Sequence, residues 1–79
     1  MKAEDKLKAF KDIIHTYNYI KKTDKNLSKD MLETCNSIYE RHKYLLEKDS
    51  KELDYKDLLN LDIAYEESET IKLLIKLSM

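Results

Sequence analysis

Cys35 and His42 stand seven residues apart on one helical stripe, and His15 lies in an earlier segment that an antiparallel hairpin would bring level with Cys35. A thiolate and two imidazoles are zinc ligands by type. Their spacing argues against a metal site, because seven residues of helix separate Cys35 from His42 by about 10 Å, whereas helical metal pairs use i, i+3 or i, i+4. His15 also projects from the face opposite its own apolar stripe. Cys35 therefore reads as a small core hydrophobe, and neither metal nor cofactor is expected. His42 is less ordinary. A central stripe position normally takes Leu or Ile, and a buried imidazole needs a hydrogen-bond partner, for which Tyr17, Tyr39 and Tyr65 are the candidates. The alternative is a pH-sensitive interface. Neither reading makes an enzyme.

The acids Asp54, Asp57, Asp62, Glu66, Glu67 and Glu69 match no EF-hand spacing and define no paired general acids. They read as a solvated acidic face. If that face is functional, Asp62, Glu66, Glu67 and Glu69 are its binding residues, and it would recognise a basic surface, including that of a nucleic-acid-binding protein. A second candidate surface comes from "IIHTYNYIKK". Ile13, Ile14, Tyr17 and Ile20 fall on the core side, whereas His15 and Tyr19 sit four apart on the other side near Lys8, Lys11 and Lys22. Tyr44 repeats the pattern on the next helix. Tyrosines among lysines form either a solvated i, i+4 contact or a partner-binding spot for an acidic protein. In "TIKLLIKL", Ile71, Leu74 and Ile75 make either a core helix or a self-association seam. Glu69, Lys72 and Lys76 supply too little basic charge for a membrane-surface helix.

The elements that must position these residues follow from composition. The 79-residue chain has no glycine, no proline and 39% charged residues, so hairpins and phosphate-cradling loops have no raw material and the fold class is all-α. At 100° per residue, Leu7, Phe10, Ile14 and Tyr17 define a first helix over about 3–22, ending in "KKTDKN". Ser28 caps a second over about 28–48, with Leu27 and Leu32 as a hydrophobic staple and Met31, Cys35, Ile38, His42 and Leu45 as its stripe. The third offers two starts: Asp49 with Glu52 as a capping box, or Asp54 with a Leu53–Leu58 staple. Its stripe of Leu58, Leu61 and Tyr65 rotates to Ile71, Ile75 and Ser78. Two outcomes remain open: helices over 53–66 and 68–78, the latter capped by Ser68, or one continuous helix. Short connections favour a small antiparallel, up-and-down bundle of three or four helices in a single domain, 1–79. A chain of this size buries a limited core, so a homodimer or a protein partner is expected.

The formal charge of −1 conceals seven lysines against four acids in residues 1–25 and four lysines against seven acids in residues 51–79. Near-zero total charge disfavours direct nucleic-acid binding, with a small nucleic-acid-associated regulator kept as an alternative. One cysteine, a charged start and no long apolar run point to a cytoplasmic protein without a membrane span. "SKELD" at 50–54 resembles the S-x-E-L-D signature of the small Spo0E-like aspartyl-phosphate phosphatases, which implies a helical hairpin with Asp54 as the functional acid. Lys56 stands where that family carries an apolar residue. The Lys-rich periodic helices with "SIYERHKYLLE" resemble the small helical-bundle bacteriocin immunity proteins, which implies toxin neutralisation by binding. The expected function is a non-enzymatic protein–protein interaction module: an adaptor, inhibitor or regulator, in the style of a phage or mobile-element gene.

Overall fold

The computed structural model describes residues 1–24 and 27–78, and every regular element among them is helical. Helix α1 spans Ala3–Thr23, with Leu7, Phe10, Ile14 and Tyr17 all buried at the spacing read from the sequence. Glu4 and Asp5 in its first turn and Lys21 and Lys22 in its last suit the helix dipole. It ends where the Asp24 N–H bonds the Ile20 carbonyl. Lys25 and Asn26, part of the expected turn, lie outside the described residues.

Helix α2 spans Lys29–His42, and the Ser28 hydroxyl accepts the Met31 N–H at 3.1 Å. Leu27 and Leu32 are half-buried against the core. The expected α-helix to residue 48 is corrected: at His42 the backbone turns to φ −121°, ψ 2°, and Lys43–Glu47 continues as a 3₁₀ helix. With three residues per turn, Leu45 stacks beneath His42. Both side chains stay buried.

Both candidate starts of the third helix are used, one after the other. Asp49 and Glu52 form a reciprocal capping box around a short 3₁₀ turn, Ser50–Glu52. Asp54 Oδ1 then accepts the Asp57 N–H at 2.8 Å while Asp57 Oδ2 accepts the Asp54 N–H at 3.3 Å, a second box that opens α3, Tyr55–Ser78. Helix α3 runs unbroken through "EESE". The expected rotation of its apolar stripe is also corrected: the buried residues are Asp57, Leu61, Ala64, Ser68, Ile71 and Ile75, spaced 4, 3, 4, 3, 4 on one face. Ala64 and Ser68 bridge the two halves. Ser68 caps nothing; it is fully enclosed, and its hydroxyl donates to the Tyr65 carbonyl at 2.7 Å.

The three helices pack with consecutive ones antiparallel. Arg41 and His42 at the end of α2 meet Glu67 in α3, while Ser28 and Met31 at its start meet Leu74, Leu77 and Ser78. Helices α1 and α3 run parallel, since Lys6 pairs with Asp62, and Ile13 and Thr16 border a groove with Lys72, Ile75 and Lys76. The molecule measures 39 × 19 × 18 Å. Phe10, Ile14, Tyr17, Cys35, Leu45, Leu61 and Ile71 fill its centre. Among the described residues no helix is long and apolar enough to cross a membrane.

Candidate functional site

The strongest polar cluster lies between α2 and α3. His42 is 7% exposed, its ring edge-on to Phe10 with centroids 6.4 Å apart, and its Nε2 donates to Glu67 Oε1 at 2.5 Å. Arg41 donates to the other oxygen of the same carboxylate. Burial works against charge on Glu67, yet the hydrogen bonds from His42 and Arg41 prevail and hold its carboxyl below the usual carboxylate range. Glu67 thus ties α3 to the end of α2, with its carboxylate already engaged by two partners of the same chain. None of the three expected tyrosines serves His42. Tyr17 donates instead to Asn36 Oδ1 at 2.6 Å, with the Lys21 ammonium 5.7 Å from its ring centroid. Burial, then the neighbouring Cys35, push the Tyr17 phenol up to about 12.

A second polar chain joins α1 to the start of α3. Lys11 donates to the Lys48 carbonyl at 2.5 Å, and the Lys48 ammonium lies 3.4 Å from the buried Asp57 carboxylate. Lys11, Lys8 and His15 border one shallow groove of about 370 Å³ with Glu4, Asp12 and Asp49. Its charges are mixed and Lys11 is already engaged. Tyr19, 69% exposed, and Lys22 sit farther along α1, and Tyr44 lies on the 3₁₀ segment. The structure therefore brings Lys8, Lys11 and His15 together and does not gather the remaining residues into that groove. Cys35 is enclosed in the core, with burial pushing its thiol up, while His15 is solvent-facing. No group of three or more His, Cys, Asp or Glu side chains among the described residues is arranged to hold a metal.

Of the other acids, Asp62 pairs with Lys6 at 2.6 Å, whereas Glu66 and Glu69 are exposed. Asp54, the acid nominated by the phosphatase resemblance, caps α3 through the Asp57 N–H. Of the two readings of "TIKLLIKL", Ile71 and Ile75 take the core one, and Leu74 is half-buried against that core. Four other apolar residues of α3, besides Tyr55 and Leu58 near its start, are exposed. Leu59, Ile63, Leu73 and Leu77 are 50%, 53%, 56% and 75% exposed. At 100° per residue they fall on the side of α3 roughly 180° from its core face. Helix α3 is therefore apolar on two opposite sides, only one of which the bundle covers. The signal was present in the sequence, because Leu59, Ile63, Leu73 and Leu77 recur with heptad spacing. It was hidden by the adjacent core residues of the same types.

Comparison of the chain with protein-family models, with curated proteins and with solved structures returned no match.

Proposed function

We propose that this protein is a non-enzymatic interaction module, an adaptor, inhibitor or regulator of the cytoplasm that binds a protein partner through an exposed helix face. The observation that carries this reading is the outer side of α3, where Leu59, Ile63, Leu73 and Leu77 are at least half exposed on a helix whose opposite side already fills the core. A two-sided apolar helix is normally covered on both sides, and rows of exposed apolar residues rimmed by charge mark interaction surfaces. The polar clusters support the same reading, since Glu67 ties α3 to α2, and Lys11, Lys48 and Asp57 tie α1 to the start of α3. An immunity protein would be the special case in which the partner is a toxin.

The test is photocrosslinking in the native host, with a photoreactive residue replacing Ile63 or Leu73 and, as a control, Lys51, which is exposed on the 3₁₀ turn. A discrete adduct from the α3 positions and none from Lys51 is expected. Adducts from neither α3 position would overturn the proposal.

A further inference from the structure

We infer that the occupant of the outer α3 face is an amphipathic helix of a different protein, apolar at both ends of its contact seam and basic in the middle. This rests on the reading that α3 is the binding face. The seam is Leu59, Ile63, Glu66, Thr70, Leu73 and Leu77, all exposed and spaced 4, 3, 4, 3, 4. This is the alternation that lets two helices lie along one another, and it runs for roughly 27 Å at 1.5 Å per residue. Two apolar pairs thus flank a polar centre of Glu66 and Thr70, with Glu69 beside it.

That centre decides between a second copy and another protein. An antiparallel pair of α3 helices would match Leu59 with Leu77, Ile63 with Leu73 and Glu66 with Thr70, which looks favourable at the ends. It would also bring Glu66 and Glu69 of both copies around the dyad. A parallel pair would set Glu66 on Glu66. In either arrangement like charges meet where the seam excludes water, and such juxtaposition selects against the pairing. A lysine or arginine at the middle of the incoming helix turns the same carboxylates into complementary partners. The seam is therefore a helix-docking face with positional charge selectivity.

The probes are two synthetic helical peptides of about 21 residues, long enough to span the seam. Both carry leucine in the outer seam layers; one carries lysine in the two central layers and the other glutamate. By fluorescence anisotropy the lysine peptide is expected to bind the full-length protein at least about tenfold more tightly, with affinity falling as salt is raised. Glu66→Lys, an exposed substitution, is expected to reverse the preference. Leu59→Lys combined with Leu73→Lys is expected to abolish binding of both peptides while leaving the far-UV circular dichroism unchanged. Equal binding of the two peptides, or a preference that Glu66→Lys leaves unaltered, would overturn the charge assignment. Binding of neither peptide would overturn the inference as a whole, and crosslinks from Ile63 or Leu73 to another protein would still uphold the wider proposal. A reversible dimer in sedimentation that Glu66→Lys strengthens would overturn it in favour of a second copy.

Discussion

At the scale of single residues, Glu67 has the clearest energetic signature. Its carboxyl is held below the ordinary range in the folded protein by His42 and Arg41, against the opposing effect of burial. The folded state therefore binds fewer protons than the unfolded state as pH falls toward the ordinary carboxylate value of about 4.3. The associated stability is present above that value and is lost as pH drops through the folded one. Urea denaturation at pH 7 and across the acid range is expected to show a shallower acid loss in Glu67→Gln than in the natural protein. Identical slopes would remove Glu67 from the acid response. Glu67→Ala leaves the buried His42 N–H without its acceptor and is expected to cost about 1–3 kcal/mol at pH 7. That His42 needed a partner was legible in the sequence, because an imidazole occupied a stripe position. The partner's identity was not, since Glu67 is 25 residues away and is brought into reach only by the register of α2 against α3.

At the scale of elements, α3 shows why a stripe can be invisible to hydropathy. Ala64 and Ser68 carry little apolar signal, yet they occupy the middle of the core face and are fully enclosed. Leu58, Leu61 and Tyr65 point to one side and Ile71, Ile75 and Ser78 to another, whereas Ala64 and Ser68 join Leu61 to Ile71 and Ile75 on a single straight face. The same small volume makes the position sensitive to size. Ser68→Leu is expected to destabilise by about 1–3 kcal/mol through overpacking. Ser68→Ala is expected to change stability by less than about 1 kcal/mol, because the hydroxyl only serves a carbonyl of its own helix and alanine favours helix. Equal costs for the two variants in thermal denaturation would show that volume is not what restricts this site. The caps were the most legible elements: Ser28, Asp49 and Asp54 all act as the local pattern indicated. The 3₁₀ tightening after His42 carried no local signal, since "KYLLE" continues the helical periodicity without interruption.

At the scale of the molecule, the charge gradient along the chain becomes a lateral arrangement. The lysine-rich α1 and the acid-rich α3 lie side by side and parallel, joined at one end by Lys6 and Asp62, while farther along Lys72 and Lys76 of α3 border Ile13 and Thr16 of α1. The all-helical fold class and the bounds of α1 were readable because the apolar spacing of α1 and α2 was unambiguous. The exposed seam is not legible in the sequence, because α3 offers two apolar rows and nothing local says which one the bundle takes.

Cys35 gives this bundle a built-in kinetic reporter. It is the one thiol of the chain, has no solvent exposure, and its ionisation is pushed up by the apolar surroundings. A thiol-labelling reagent can reach it only through an opening of the packed core. Labelling is therefore expected to run slower than for an unfolded control by a factor on the order of 10³ or more, as core opening worth several kcal/mol requires. Mass spectrometry over a labelling time course reads the rate. Ser68→Leu should speed it and Leu73→Lys should leave it unchanged, which separates damage to the interior from loss of the outer seam before any partner is in hand.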